Sequence, residues 1–201
     1  TWTELPGALA AGQSALWNSF SLAALSAMLV VALGLAAGLR SRASSSSFNS
    51  LLGCLSWLPL LLPGMLLGIA LIVMFNRPWC SLLYQSAGIV ILAFAARYLA
   101  LGWNSVVHAL RTVDPDLIDV ARLDGATRWQ MLRHVQWPQI APQVAAAWYV
   151  VFLLCLWDVE SMILVVPPGG ETLALRVFNL LHYGHNAQVN ALCLMLLALA
   201  V

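Results

Sequence analysis

Long stretches of the chain contain no charged residue. They cover residues 5–39, 43–76, 78–96, 134–157 and 177–201 of the 201-residue sequence. A helix of about 20 apolar residues spans the hydrocarbon core of a bilayer. Charged residues make up 8% of the chain, whereas a soluble domain has about 25%, so the chain could not cover a soluble surface. The sequence therefore predicts an all-α, polytopic membrane helical bundle.

The apolar segments predict five spans in a single transmembrane domain over residues 1–201. They lie at residues 15–39, 49–75, 87–110, 140–166 and 186–201. The last segment offers about 15 apolar residues, or about 22 Å of helix, which is short of a full span. The chain begins at Thr1, without a charged leader. We therefore expect it to be a piece of a longer membrane protein, truncated in the last span.

Polar and helix-breaking residues occur inside the predicted spans. The first span contains Asn18 and serines at positions 19, 21 and 26, which predicts that one of its faces packs on protein. The second span is interrupted by Pro63 and Gly64, together with Pro59 and Gly68. Such a pair predicts a kink or a local unwinding of the helix.

Arginine is the only basic residue type, and its placement predicts the orientation. The connections after the first and third spans share one side of the membrane and hold six arginines, Arg40, Arg42, Arg111, Arg122, Arg128 and Arg133. The opposite side holds only Arg77 and Arg176. The six-arginine side is therefore expected to be cytoplasmic, with the N-terminus outside. The absence of lysine excludes an ATP-binding P-loop in this chain.

Eight of the 17 charged residues lie between Arg111 and Arg133, in a loop over residues 111–138. Asp114-Pro115 predicts the start of a helix, and Gly125 predicts its left-handed end. Thr127 and Gln130 have the spacing of a capping box, which predicts a second, short helix. Pro138 and Pro142 are expected to mark its exit into the fourth span. The loop is thus predicted to form a helix–Gly–helix elbow.

An apolar stripe runs along the first helix of this elbow, formed by Leu117, Val120 and Ala121. Such a surface suits the docking of a soluble partner. The alternative is an interfacial helix that rests on lipid headgroups. The helix is more acidic than basic, and anionic lipid would repel it.

The elbow resembles the EAA loop of binding-protein-dependent ABC transporter permeases, the type I importers. That pattern reads Glu-Ala-Ala, three residues, Gly, nine residues, Ile, one residue, Leu-Pro. The matching positions here are Asp119-Val120-Ala121, Gly125, Val135 and Trp137-Pro138. The spacing agrees throughout, and four positions differ in residue type. Leu62-Pro63-Gly64-Met65 and the run over residues 167–173 are also similar to this family.

The resemblance implies the transmembrane subunit of an ABC importer in a bacterial inner membrane. The resemblance also implies that this subunit is not an enzyme, because separate ATPase subunits hydrolyse ATP and receive the elbow. A second permease unit is expected to complete the translocation path, and a periplasmic binding protein to deliver the solute. Fusion to that second unit is expected. In the family the acidic residue of the motif meets a basic group on the ATPase, and Asp119 is the matching position. The expected coupling residues are Asp116, Asp119, Val120, Ala121, Arg122, Asp124, Gly125, Ala126, Trp129 and Pro138.

Three charged residues inside the spans are candidates for the translocation path. Arg97 is expected either to line this path or to anchor helix packing, since an arginine within a span is costly. Asp158 and Glu160 are expected to contact the solute, a gate or the binding protein, or to make local hydrogen bonds. Their predicted depth is well outward of Arg97, so direct pairing with Arg97 is not expected.

The solute is the least constrained part of the prediction. Residues 167–173, continued through residues 176–179, most resemble ferric-iron permeases, with thiamine, polyamine, sulfate and phosphonate importers as alternatives. A secondary transporter or channel is a more distant alternative. His182 and His185 are spaced three apart, but without a carboxylate cluster they suit a hard ferric ion poorly. No cofactor or metal site is therefore expected.

Overall fold

A computed structural model describes residues 5–43, 51, 53–183 and 186–199. Every regular element among these residues is helical, which confirms the predicted all-α class. The longer helices are α1 Leu5–Ala43, α2 Gly64–Phe75, α3 Gly88–Arg111, α4 Pro115–Leu123, α5 Trp137–Trp157, α6 Leu173–His182 and α7 Asn186–Leu199. Shorter helical segments are Leu58–Leu61, Pro78–Cys80, Ser81–Tyr84, Arg128–Gln130 and Met131–Gln136. Residues 49, 50 and 52, His185 and residues 200–201, which belong to predicted features, lie outside the described residues.

Three helices among the described residues are long and apolar enough to cross a membrane, Gly12–Arg40, Gly88–Arg111 and Arg128–Trp157. A fourth span exists if Gly53–Leu61 and Gly64–Phe75 are counted together, although their axes are bent by 108°. The predicted break before Gly64 is therefore confirmed, and it is sharper than a kink. The described part of α7 is shorter than a span, as the sequence predicts for the last segment, and α6 is a second short apolar helix.

The fourth predicted span differs from the structure at both ends. It was expected over residues 140–166, but the helix runs from Arg128 to Trp157. The early end has a local cause, because Asp158 adopts an extended conformation and its carboxylate accepts a hydrogen bond from the Ser161 amide at 3.1 Å. Residues 160–165 therefore form turns instead of continuing the helix.

Pro138 does not end a helix, which corrects the prediction of a short second elbow helix. Residues Met131–Gln136 form a π-helical turn, in which the Trp137 amide donates to the carbonyl of Leu132, five residues back. The wider turn accommodates one extra residue just before Pro138. Gln139 also donates from its side-chain amide to the Val135 carbonyl at 2.8 Å. The helix therefore passes through Pro138 and Pro142 without interruption.

The long helix α1 packs against both α3 and α5, and this three-helix contact forms the centre of the bundle. The closest approach of α1 to α3 depends on two glycines. A Cβ on Gly34 would lie 3.1 Å from the Gly102 carbonyl oxygen, and a Cβ on Gly102 would overlap Cγ1 of the fully buried Val30. Small residues allow membrane helices to approach each other closely.

The polar residues of α1 face protein, as the sequence predicts. Ser19 and Ser26 are buried. The hydroxyl of Ser19 accepts a hydrogen bond from the Leu173 amide at 2.7 Å. The Asn18 side chain donates to the carbonyls of Gly169 at 2.8 Å and Glu171 at 3.2 Å. These bonds fix the loop before α6 against the first span.

We predict that Gly102→Ala lowers stability by about 1–3 kcal/mol, because the added methyl group overpacks the contact with Val30. Gly53→Ala is the matched control, since a Cβ there meets nothing within 4 Å. It should be neutral or slightly stabilising. Thermal unfolding of the purified protein in detergent measures both, and equal melting temperatures for the two variants would contradict the packing argument.

Candidate functional site

The elbow begins and ends with the caps that the sequence predicts. Asp114 precedes α4, and its carboxylate accepts from the Asp116 amide at 2.9 Å. At the other end Gly125 is left-handed, with φ of 76°. The amide of Gly125 donates to the Arg122 carbonyl and that of Ala126 to the Ala121 carbonyl, both at 3.0 Å. This pair of bonds is a Schellman motif, which closes the helix sharply.

The second half of the elbow starts with the predicted capping box. The Thr127 hydroxyl accepts from the Gln130 amide at 3.4 Å, and the Gln130 side chain accepts from the Thr127 amide at 2.8 Å. The helix that begins here continues to Trp157. The elbow is therefore rigidly joined to a membrane-spanning helix.

One residue anchors α4 to the rest of the protein. Ile118 is the buried residue of α4, and it belongs to an apolar cluster that includes Val31, Val106, Val113, Ile140 and Val144. The Gln139 side chain also accepts from the Asp114 amide at 3.2 Å. The elbow is thus held by α1, α3 and α5 together.

The opposite surface of the elbow exposes large apolar side chains. Leu117 and Val120 of the predicted stripe are exposed, whereas Ala121 is half-buried. Leu123, which the sequence analysis did not select, is 88% exposed, and Trp129 is also exposed. The sequence signal for Leu123 is its place just before the left-handed end of α4. An apolar surface of this kind at a charged loop suits a protein partner.

The charged residues of the predicted coupling set surround this apolar surface. Asp119 and Arg122 form an exposed ion pair at 2.8 Å within α4. Asp116, Asp124 and Gly125 are also exposed. Ala126 is half-buried, and Pro138 is exposed within the helix that leaves the elbow. Asp119 is thus accessible, with Arg122 as its present partner.

A second group of polar residues lies in the bundle around Arg97. The Arg97 side chain is only 16% exposed. It donates from Nη1 to Ser161 Oγ at 3.1 Å, and its Nη2 and Nε lie 3.4 Å from Glu160 Oε2 and 3.6 Å from Asp158 Oδ2. Because a charge in an apolar span needs a partner, these contacts provide the neutralisation of Arg97.

Asp158 is the buried member of this group. Its side chain is 3% exposed. It accepts from the Tyr98 hydroxyl at 3.0 Å, and from the amide and hydroxyl of Ser161 at 3.1 and 2.6 Å. Buried carboxylates with several hydrogen bonds are held in one geometry. Asp158 therefore fixes the position of Arg97.

Glu160 differs from Asp158 because it is 65% exposed. Its Oε2 accepts from the Gly64 amide at 3.3 Å. A Cβ at Gly64 would overlap Arg97 Nη1 and lie 2.5 Å from Glu160 Cβ, so only glycine allows this approach. Three segments of the chain therefore meet at Gly64, Arg97 and Glu160. They are the break before α2, the middle of α3 and the turn after α5.

A cavity of about 600 Å³ opens beside this group. Its polar lining consists of Arg97, Tyr98, Asp158 and Glu160. Leu153 and Trp157 contribute apolar walls.

The contacts of Arg97 correct one prediction. Asp158 and Glu160 were expected to lie too far outward to pair with Arg97, but both lie within 4 Å of it. The cause is the early end of α5, which brings residues 158–161 back to the depth of Arg97. The sequence analysis also missed Tyr98 and Ser161 as partners. Ser161 has a local signal, because it stands three residues after Asp158, the spacing of an aspartate-capped turn.

Comparison with known proteins identifies the family. Residues 30–200 match the family described as binding-protein-dependent transport system inner membrane component. The chain belongs to this family. The sequence resemblance to permeases of binding-protein-dependent ABC transporters is thereby confirmed.

Relatives of the permease are named after organic solutes. A protein of Salmonella paratyphi A, named as the 2-aminoethylphosphonate transport system permease PhnV, is 25% identical over 191 residues, 95% of this chain and 72% of the relative. The spermidine/putrescine permease PotC of Escherichia coli strain K12 is 28% identical over 139 residues, 69% of this chain and 52% of the relative. The ferric-iron subgroup gains no support from these relatives.

Solved transporters share the fold of the permease. A bacterial ABC transporter that imports alginate aligns with a TM-score of 0.73 at 19% identity, over 93% of this chain and 74% of that one. The MetNI methionine ABC transporter, in an inward-facing conformation, aligns with a TM-score of 0.71 at 17% identity, over 92% of this chain and 88% of that one.

We predict that Arg97→Gln destabilises the permease by about 3–5 kcal/mol, because it leaves Asp158 buried without a counter-charge. The double variant Arg97→Gln, Asp158→Asn should recover much of this loss, since two neutral amides can hydrogen-bond. Arg176→Gln is the control, because its partner Glu171 is much more exposed than Asp158, and the loss of stability should stay below about 1 kcal/mol. Thermal unfolding of the unmodified protein, the two single variants and the double variant completes a double-mutant cycle. If the double variant shows only the sum of the two single losses, Arg97 and Asp158 are not a coupled pair.

Proposed function

We propose that this chain is the membrane-spanning subunit of an ABC importer, which couples solute passage to ATP hydrolysis in a separate ATPase subunit through its elbow. The main support is the rigid elbow with its exposed apolar surface. A secondary transporter or channel has no need for such a surface on a stiff charged loop. The family match favours the same function.

In this proposal the elbow docks in a cleft of the ATPase. Leu117, Val120, Leu123 and Trp129 supply the apolar contact, and Asp119 exchanges Arg122 for a basic group of the partner. Since desolvated apolar and aromatic anchors carry most of the binding energy at an interface, Leu123 and Trp129 are the proposed anchors. Among the remaining coupling residues, Asp116, Asp124 and Ala126 border this contact.

Movement of the elbow would reach the membrane through one continuous helix. When ATP binding draws two ATPase subunits together, each elbow follows its subunit. Because the helix is unbroken from Arg128 to Trp157, its outer end moves with its inner end. That outer end adjoins Asp158 and the cavity beside Arg97, which we propose as part of the translocation path. A second permease unit, fused or separate, completes the path, and a periplasmic binding protein supplies the solute.

The solute we favour is a small organic ion of the phosphonate or polyamine class. The relatives named for 2-aminoethylphosphonate and for spermidine and putrescine support this class. The mixed charges of Arg97, Asp158 and Glu160 at the cavity are compatible with an ionic solute. Ferric iron rested only on the similarity of residues 167–179, and we do not retain it as the first choice.

The docking proposal is tested by Leu123→Glu. Leu123 is 88% exposed, so the variant should fold and insert normally, yet the amount of ATPase that copurifies should fall at least about tenfold and transport should be lost. Leu82→Glu is the matched control, because Leu82 is equally exposed and lies between α2 and α3. An unchanged copurification with Leu123→Glu, or transport that persists without ATP, would refute the proposed function.

The proposed orientation makes a separate prediction. In a background without the four native cysteines, Cys54, Cys80, Cys155 and Cys193, a membrane-impermeant maleimide should label Leu82→Cys in intact spheroplasts. Leu123→Cys should be labelled only after permeabilisation, because the elbow is proposed to be cytoplasmic. The reverse pattern of labelling would show that the arginine-rich side faces outward.

A further inference from the structure

The two carboxylates beside Arg97 differ in how firmly they are held. Asp158 is buried, with hydrogen bonds from Tyr98 and Ser161 in addition to its contact with Arg97. Glu160 is 65% exposed and has two long contacts, at 3.4 Å to Arg97 Nη2 and at 3.3 Å from the Gly64 amide. Asp158 is thus a fixed counter-ion, whereas Glu160 can leave at little cost.

The departure of Glu160 would free two donors that point to one place. Arg97 Nη2 and the Gly64 amide already converge on a single oxygen atom, Glu160 Oε2. Arg97 would keep its position, because its Nη1 donates to Ser161 and its Nε lies 3.6 Å from the buried Asp158 carboxylate. Guanidinium and backbone amide groups together bind carboxylate and phosphonate oxygens well. The donors border the cavity of about 600 Å³, so a small solute has room to enter.

We propose that Arg97 and the Gly64 amide form a binding seat for an oxyanion group of the solute, and that Glu160 occupies this seat until the solute displaces it. The glycine is required because a side chain at position 64 would fill the seat. A singly charged oxyanion group carries the same charge as the Glu160 carboxylate that it replaces, so the net charge of the seat is then unchanged. A solute with a phosphonate group fits this chemistry, whereas a purely cationic polyamine does not.

In this proposal the Glu160 carboxylate competes with the solute for the seat, which predicts a distinctive change in affinity when Glu160 is removed. Removing it should strengthen the binding of an anion, whereas removal of a carboxylate that binds a cation directly weakens the binding of that cation. We expect Glu160→Gln and Glu160→Ala to tighten the binding of methylphosphonate by about tenfold, since one charge-assisted contact no longer has to be broken. Ala should have the larger effect, because the amide of Gln can still accept from Gly64.

The experiment titrates methylphosphonate into the purified transporter complex in lipid nanodiscs, without ATP, by calorimetry. Glu171→Gln is the matched control, because it removes a carboxylate that pairs with Arg176 elsewhere, and it should leave the affinity unchanged. Arg97→Lys in the Glu160→Ala background keeps the charge beside Asp158 but removes the planar guanidinium. It should abolish the gain in affinity.

Two results would overturn the proposal. The first is an affinity for methylphosphonate that stays the same or falls in both Glu160 variants. The second is binding of putrescine that weakens with Glu160→Ala while methylphosphonate does not bind, which would mean that the carboxylates form a cation site. The proposal rests on the proposed function, but the titration needs no ATP. Failure of coupling and failure of the seat are therefore distinguishable.

Discussion

The charge of Arg97 is the constraint around which the membrane part of this permease is arranged. An unpaired arginine in an apolar bundle is costly, so a carboxylate has to reach its depth. The chain meets this need by ending α5 at Trp157, where Asp158 turns out of the helix and stays buried. The turn that follows then carries Ser161 and Glu160 to the same place. The early end of the helix, the position of Gly64 and the cavity all follow from this one requirement.

The elbow and the Arg97 group lie at opposite ends of the same helix. Between them the chain is one continuous helix, in which the π-helical turn and the Gln139 side chain accommodate Pro138. A surface that suits a soluble partner is therefore mechanically linked to a group of charges next to a cavity. This arrangement fits a transport subunit better than it fits either an enzyme or a passive pore.

The features that sequence reasoning predicted correctly are local ones. The caps at Asp114, Gly125 and Thr127 depend on hydrogen bonds within six residues, so their residue types and spacing suffice to predict them. The helical class and the break before Gly64 follow equally directly from composition and from the Pro-Gly pair. The EAA-like spacing then led to the family.

The features that failed depend on side-chain contacts that hydropathy does not reveal. The end of α5 could not be predicted from hydropathy, because residues 162–166 are again apolar after the helix has ended. Pairing of Arg97 with Asp158 and Glu160 depends on that end, and so it was missed as well. Leu123 was overlooked for a similar reason, because its exposure depends on how Ile118 anchors α4.

The π-helical turn over Met131–Gln136 also sets the rotation of the second elbow helix relative to α5. One extra residue in a helix rotates all preceding side chains by about 100° relative to those that follow. The side chain of Trp129 therefore faces about 100° away from the direction that an uninterrupted α-helix would give it, relative to the face of α5 that packs on α1.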